Sequence, residues 1–187
     1  MRIISGIFKG KKILQPLNSK TRPLKDLTKE SIFNIIRHSN KFTIDLNTSE
    51  ILDLFSGTGS FGIECLSRGA KHVTFVENYD EVLPILKKNL TNLKSIRNYL
   101  IIEKDILKNL KLKIINRKYD IIFLDPPYKE KKFMSLISII LDEQILNNDG
   151  IIIIHRHKNQ KDIFPKAFKI LEEKKYGISK IIFGSYS

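Results

Sequence analysis

Short apolar runs and helix-like stretches alternate along most of this chain, and that alternation limits the folds open to it. Ile51–Phe55, His72–Val76, Tyr99–Glu103, Tyr119–Leu124 and Gly150–Ile154 read as strands. Ser60–Arg68, Tyr79–Leu93, a short segment from Asp105, and Glu130–Leu141 read as the helices between them, with Gly69 a C-cap after the first. This order predicts parallel strands joined by crossover helices, that is, a doubly wound α/β sheet. Gly150–Ile154 is almost wholly apolar, as a strand covered on both faces requires. Phe168–Lys175 and Ile178–Phe183, around Gly177, predict a closing strand pair and an antiparallel strand at the sheet's end. Ahead of the alternation, Arg2–Phe8 and Lys11–Gln15 flank Lys9-Gly10 as a hairpin. A loop over Asn18–Pro23 follows. Then Leu24–Arg37 spaces Leu24, Leu27, Ile32, Phe33, Ile35 and Ile36 roughly as a helix does. The expected division is a hairpin-and-helix extension over residues 1–41 and an α/β domain over 42–187.

In a sheet of this kind ligands bind beyond the carboxyl ends of the strands, so the residues there carry the chemistry. Asp53-Leu54-Phe55-Ser56-Gly57-Thr58-Gly59-Ser60-Phe61-Gly62 follows the first strand. Gly57, Gly59 and Gly62 fit G-x-G-x-x-G, and Glu77, twenty residues after Gly57, is placed to bind a ribose diol. A nicotinamide dinucleotide is one reading, and a tight turn without ligand is another. Asp53 favours a third. It would repel a pyrophosphate and attract the ammonium of S-adenosylmethionine (SAM), which has no phosphates to seat on a helix N-terminus. Ser56, Thr58 and Asn78 flank these positions and join the candidate cofactor contacts. Asp105, after the third strand, could meet an adenine amine with Ile106 against the ring, or could equally cap the next helix.

The fourth strand runs directly into Asp125-Pro126-Pro127-Tyr128. Two prolines fix φ and remove two N–H donors, so carbonyls are left free at a stiff corner. A carboxylate at one end and an aromatic ring at the other suit a flat ring bearing an amine. The Asp125 carboxylate and the Pro126 carbonyl would accept its N–H bonds, and Tyr128 would stack on its face. The bland alternative is a rigid turn with Tyr128 plugging the core. Transfer of a methyl group to an exocyclic nitrogen needs no metal, so His155 and His157 are not required as ligands.

The charge suggests the substrate. The net charge is +13, and residues 1–41 supply +8 of it, with ten Lys/Arg against Asp26 and Glu30. Compositional drift explains abundant lysine but not its concentration at one end. A nucleic acid is the expected partner, with Arg2, Lys9, Lys11, Lys12 and Arg22 the candidate contacts. The 187 residues suffice for one domain with a small appendage. The single cysteine, Cys65, excludes disulfides and cysteine-rich zinc sites and makes a reducing cytoplasm the expectation. No apolar signal segment opens the chain, and Leu136–Ile154 is broken by Asp142, Glu143, Asn147, Asn148 and Asp149, so no membrane span is expected.

With these residues assembled, the chain resembles the RsmD-type 16S ribosomal RNA (guanine-N2)-methyltransferases. The resemblance is carried by Arg2-Ile3-Ile4-Ser5-Gly6 with Lys9-Gly10, Thr21-Arg22-Pro23, Lys29-Glu30-Ser31-Ile32-Phe33-Asn34, the Asp53–Gly59 loop with Gly62-Ile63-Glu64, Glu77, the Asp125 corner and Lys175-Tyr176-Gly177. The glycine loop and the proline corner recur in many methyltransferases, whereas the N-terminal segment is the specific part. The resemblance implies a Rossmann-like SAM-dependent methyltransferase fold with a seven-stranded sheet whose last strand is antiparallel. It also implies methylation of one guanine N2 in small-subunit ribosomal RNA, with the extension gripping RNA or ribosomal protein. An assembly intermediate is among the possible substrates, and the expected state is a monomer. The chain departs from the family pattern at Leu27, where Arg is common. It departs again at Ile154-His155-Arg156-His157, where the strand often ends in Glu; these residues would add RNA contacts or alter the target pocket. An adenine-N6 methyltransferase acting on DNA or RNA is the alternative activity.

Overall fold

The computed structural model describes residues 1–16, 24–108, 117–127, 130 and 132–186. Tyr128, Arg22 and the rest of the loop before Leu24 therefore lie outside the described residues. Seven strands form one sheet: β1 (Glu50–Leu54), β2 (His72–Glu77), β3 (Tyr99–Glu103), β4 (Tyr119–Leu124), β5 (Leu146–His157), β6 (Phe168–Tyr176) and β7 (Ser179–Tyr186). Their order is β3-β2-β1-β4-β5-β7-β6. The first five run parallel, β7 is antiparallel to both β5 and β6, and the edge strand β6 is thereby returned to the main direction. The chain winds outward from β1 to β3 and then crosses back to β4, so the switch point lies between β1 and β4.

Alternation along the strands builds two cores, because successive side chains leave a strand on opposite faces. Ile51, Val73, Phe75, Ile121, Phe123, Ile151, Ile153, Ile181 and Phe183 share one cluster with three helices, α1 (Asp26–His38), α2 (Ser60–Ser67) and α3 (Leu83–Thr91). Leu52, Leu54, Val76, Ile122, Leu124, Ile152, Ile154 and Ile182 face α4 (Phe133–Asp142) on the other side. A ring stack binds α1, α2 and β4, with Phe61 centroids 5.4 Å from Phe33 and 4.1 Å from Phe123. Cys65 is buried in the first cluster. No helix among the described residues is long and apolar enough to cross a membrane.

The N-terminal extension is less regular than the expected hairpin. Among the described residues one bridge forms, Arg2 with Lys12, supported by Ile3 N–H to Lys11 O (2.9 Å) and Ile13 N–H to Met1 O (3.1 Å). Lys9-Gly10 does form a tight turn, with Lys11 N–H bonding Phe8 O at 3.1 Å, but it closes a broader loop over residues 4–10, in which Ile7 N–H bonds Ser67 O and Phe8 N–H bonds Ser67 Oγ at the end of α2. Ile3, Phe8 and Ile13 enter the same cluster as α1 and α2. Leu27 is 79% exposed, so the apolar core face of α1 is made by Ile32, Phe33 and Ile36, with Ile35 packed against the same cluster. Both α3 and α4 begin later than their apolar spacing suggests, and β5 extends in both directions beyond Gly150–Ile154.

Candidate active site

The loop after β1 is held from below. The Asp53 carboxylate accepts Gly62 N–H at 3.0 Å, and Glu77 Oε2 accepts Gly57 N–H at 2.7 Å. Glu77 Oε1 also accepts Asn78 N–H (2.8 Å) and Tyr79 N–H (2.9 Å), so this carboxylate organises the turn after β2 as well. Gly59 has φ +84°, a region a side chain rarely tolerates. Gly62 is required by close approach, since a Cβ there would stand 2.3 Å from the Phe75 ring on β2. Phe55 has φ +59°, an uncommon conformation for a bulky residue, at the lip of the same loop.

A cavity of about 210 Å³ opens beside this loop, lined by Phe55, Val76, Glu77, Asn78, Lys104, Asp105, Ile106, Leu107 and Pro127. It joins the carboxyl ends of β1, β2, β3 and β4 across the switch point. Of the predicted cofactor residues it gathers Glu77, Asn78, Asp105 and Ile106. It does not include Asp53, Ser56, Gly57, Thr58 or Gly59 among its lining. Asp53 is 1% exposed. The Ser56 hydroxyl donates to Asp53 O (2.7 Å) and Val76 O (3.0 Å), while Thr58 Oγ1 accepts Gln15 Nε2 at 3.2 Å. Asp105 Oδ1 accepts Leu107 N–H at 3.0 Å, as a cap would, and the residue stands at the cavity wall.

Burial pushes the Asp53 carboxyl well above the usual carboxylate range. The Gly62 N–H opposes that shift, and the neighbouring Asp125 and Glu77 charges add to it. A cation near the cavity would relieve this cost, and three carboxylates at adjoining strand ends favour one electrostatically.

The proline corner starts where β4 ends. Asp125 N–H bonds Leu54 O at 3.3 Å, tying the corner to β1, and Pro127 closes the cavity wall. Asp125 Oδ1 lies 2.8 Å from His155 Nδ1, and His155 Nε2 lies 2.9 Å from Ser179 Oγ. Arg156 donates to Pro127 O (3.2 Å), pairs with Asp162 (3.2 Å) and stacks on Phe133 at 4.2 Å. Arg156 is 2% exposed, so it is unavailable as an RNA contact, and His155 is buried beside it. Sequence reasoning gave this segment either RNA contacts or an influence on the target pocket, without naming a partner for either residue. It also passed over Phe55, whose only signal is its place between a strand and the first glycine.

Among the predicted RNA contacts, Arg2, Lys9, Lys11 and Lys12 are exposed on the extension, with the Lys11 ammonium 4.7 Å from the Phe8 ring. Lys29, counted in the same charge, is buried. It bonds Arg2 O (2.8 Å) and pairs with Glu64 (3.3 Å). Glu64 also accepts Ile4 N–H and Ser5 N–H at 2.8 and 2.9 Å and Arg68 Nε at 2.8 Å, so one buried carboxylate anchors the extension to α2. Asn89 on α3 forms a second anchor, accepting Leu14 N–H (2.8 Å) and donating to Leu14 O (3.2 Å) and Thr58 O (3.0 Å).

Residues 1–185 match the family described as Conserved hypothetical protein 95. The chain belongs to that family. Ribosomal RNA small subunit methyltransferase D of Haemophilus influenzae is 37% identical over 180 residues, covering 95% of this chain and 90% of the relative. The protein of the same name from Buchnera aphidicola subsp. Acyrthosiphon pisum is 34% identical over 172 residues, covering 92% and 86%. Among solved structures, yhhF of Escherichia coli, described provisionally as a methyltransferase, aligns with TM-score 0.82 and 26% identity over 100% of this chain and 98% of that one. A Haemophilus influenzae protein, described provisionally as a methylase, aligns with TM-score 0.77 and 33% identity, covering 98% and 96%. Family membership thus spans the extension and the sheet together.

Proposed function

We propose that this protein is a SAM-dependent methyltransferase that methylates the exocyclic N2 of a guanine in 16S ribosomal RNA. The observation that carries this reading is the adjacency of two sites at one switch point: a nucleoside-sized cavity and, sharing Pro127 with it, a corner able to grip an amine. Acceptors on Glu77 and Asp105 suit a ribose and an adenine, while Phe55, Ile106 and Leu107 suit the faces of a purine. The raised Asp53 carboxyl and its acidic neighbours suit a cationic donor over a pyrophosphate. SAM supplies an electrophilic methyl on a sulfonium that is its own leaving group.

The protein's own work is to hold and orient. Asp125 and the Pro126 carbonyl are assigned to accept the N–H groups of a base. Bonding them to oxygens favours a pyramidal nitrogen and stabilises the positive charge that grows there during transfer. Alignment of that nitrogen with the methyl group then supplies much of the acceleration. Tyr128, next in the chain, is assigned to stack on the base, and Arg2, Lys9, Lys11, Lys12 and Arg22 to the RNA backbone. The substrate of the named relatives, small-subunit ribosomal RNA, and the exposed basic extension favour ribosomal RNA over DNA. The reading includes action by a monomer on a small-subunit particle carrying ribosomal proteins, and division of labour between residues 1–41 and 42–187.

The test is direct. Small-subunit particles from cells lacking this protein are incubated with it and SAM, then digested to nucleosides. N2-methylguanosine is the expected product. N6-methyladenosine without N2-methylguanosine would replace this reading with the adenine alternative.

A further inference from the structure

We propose that His155 is a positioning residue for methyl transfer, clamping the Asp125 carboxylate in the orientation that receives the target amine. The proposal rests on the role given to Asp125 above and concerns what keeps that carboxylate in place. In the parallel pairing of β4 and β5, Leu124 is level with Ile154, so Asp125 and His155 emerge side by side. The Asp125 side chain is 21% exposed while that of His155 is 6% exposed. The imidazole thus backs the carboxylate from the buried side. An ionised carboxylate can only accept, so the bond at 2.8 Å places the proton on Nδ1. Ser179 Oγ at 2.9 Å holds the other ring nitrogen and stops the ring from turning. Oδ1 is thereby occupied, and Oδ2, which has no hydrogen-bond partner among the described residues, is the oxygen left for a substrate N–H.

Arg156 supports the same corner from the next residue of the strand. It bonds Pro127 O while Asp162 and the Phe133 ring fix its guanidinium. Two consecutive residues of β5 therefore hold the two ends of Asp125-Pro126-Pro127. Both ring nitrogens of this buried histidine meet polar partners, and one of those partners is the carboxylate of the corner.

Single-turnover rates on small-subunit particles at saturating SAM, SAM dissociation constants and melting temperatures would test this. His155→Leu is expected to slow transfer by about 100-fold, the scale of a lost alignment, with SAM affinity changed less than twofold. The two amides separate positioning from packing. In His155→Asn the amide nitrogen falls near the position of Nδ1 and should restore most of the rate. In His155→Gln it falls near Nε2 and should not. Because both are polar and of similar bulk, this comparison survives if the leucine variant fails to fold. The double variant Asp125→Ala/His155→Leu should be no slower than Asp125→Ala alone, since His155 acts through Asp125. Equal rates for the Asn and Gln variants, a wild-type rate for His155→Leu, or multiplying losses in the double variant would overturn the proposal. A wild-type rate for Asp125→Ala would remove the reading of the corner itself, and the positioning role with it.

Discussion

Asp53 concentrates the tension of the site in one side chain. It is buried, it accepts a single backbone N–H, and burial raises its pKa, so the folded state holds its proton more tightly than the unfolded chain does. Such a group contributes its full stability below the unfolded carboxyl pKa, and that contribution is lost as pH rises through the folded pKa. Asp53→Asn keeps an acceptor for Gly62 N–H and removes the buried charge. Its ligand-free melting temperature should match the parent in acid and exceed it increasingly toward pH 8, by about 2–4 °C per kcal/mol relieved. SAM affinity should fall in the same variant, since the attraction for the ammonium is lost; calorimetry and a pH series of melts read both. The strand-end positions of Asp53 and Glu77 were legible in the sequence, because a glycine turn after an apolar run has few placements. Their partners were not. That Asp53 is satisfied by Gly62, and that His155 meets Asp125, depends on how α2 and β7 pack, and no local pattern encodes those distances.

At the level of elements, the extension is held by chemistry that charge counting cannot distinguish from RNA binding. Lys29 looks like one more basic residue, yet it is buried against Glu64, and burial lowers its pKa despite that carboxylate. Replacing Glu64 by Leu should leave a buried ammonium uncompensated and cost about 3–5 kcal/mol in denaturant unfolding. Adding Lys29→Met should recover part of the loss. The exposed residues Lys11 and Lys12 should behave differently. Lys11→Glu/Lys12→Glu should leave stability nearly unchanged, weaken RNA binding and flatten its dependence on salt in filter-binding titrations. Unaltered binding across salt would assign these lysines to solubility alone. Gly6 gives a physical meaning to the N-terminal signature. Its φ is +83°, and a Cβ there would stand 1.8 Å from Ser67 O, so only glycine lets the loop lie on the end of α2. The helices and strands themselves followed from periodicity. The turn at Lys9-Gly10 was legible as well, but the docking of its loop was not, because that is set by Ser67, 59 residues from Phe8.

For the whole molecule, the sheet order places the cavity and the proline corner on neighbouring strands, so ligand binding should be felt by the entire fold. SAM at 100 times its dissociation constant should stabilise the protein by about 2.7 kcal/mol, seen as a single shifted melt, whereas NADH at the same concentration should give no shift. An NADH shift would revive the dinucleotide reading of Gly57, Gly59 and Gly62. The doubly wound class was legible because strand-helix alternation has few solutions; the position of β7 between β5 and β6 was not, because a closing strand pair can add to a sheet in either order.

The shared core also orders events during synthesis. The basic extension is made before the groups that anchor it, because Glu64, Ser67 and Asn89 come 59 to 75 residues later. Until those residues leave the exit tunnel, Ile3, Phe8 and Ile13 have only the α1 part of their cluster to enter. The extension of the nascent chain is therefore unanchored at first, and its exposed lysines take their final arrangement only as the sheet closes behind them.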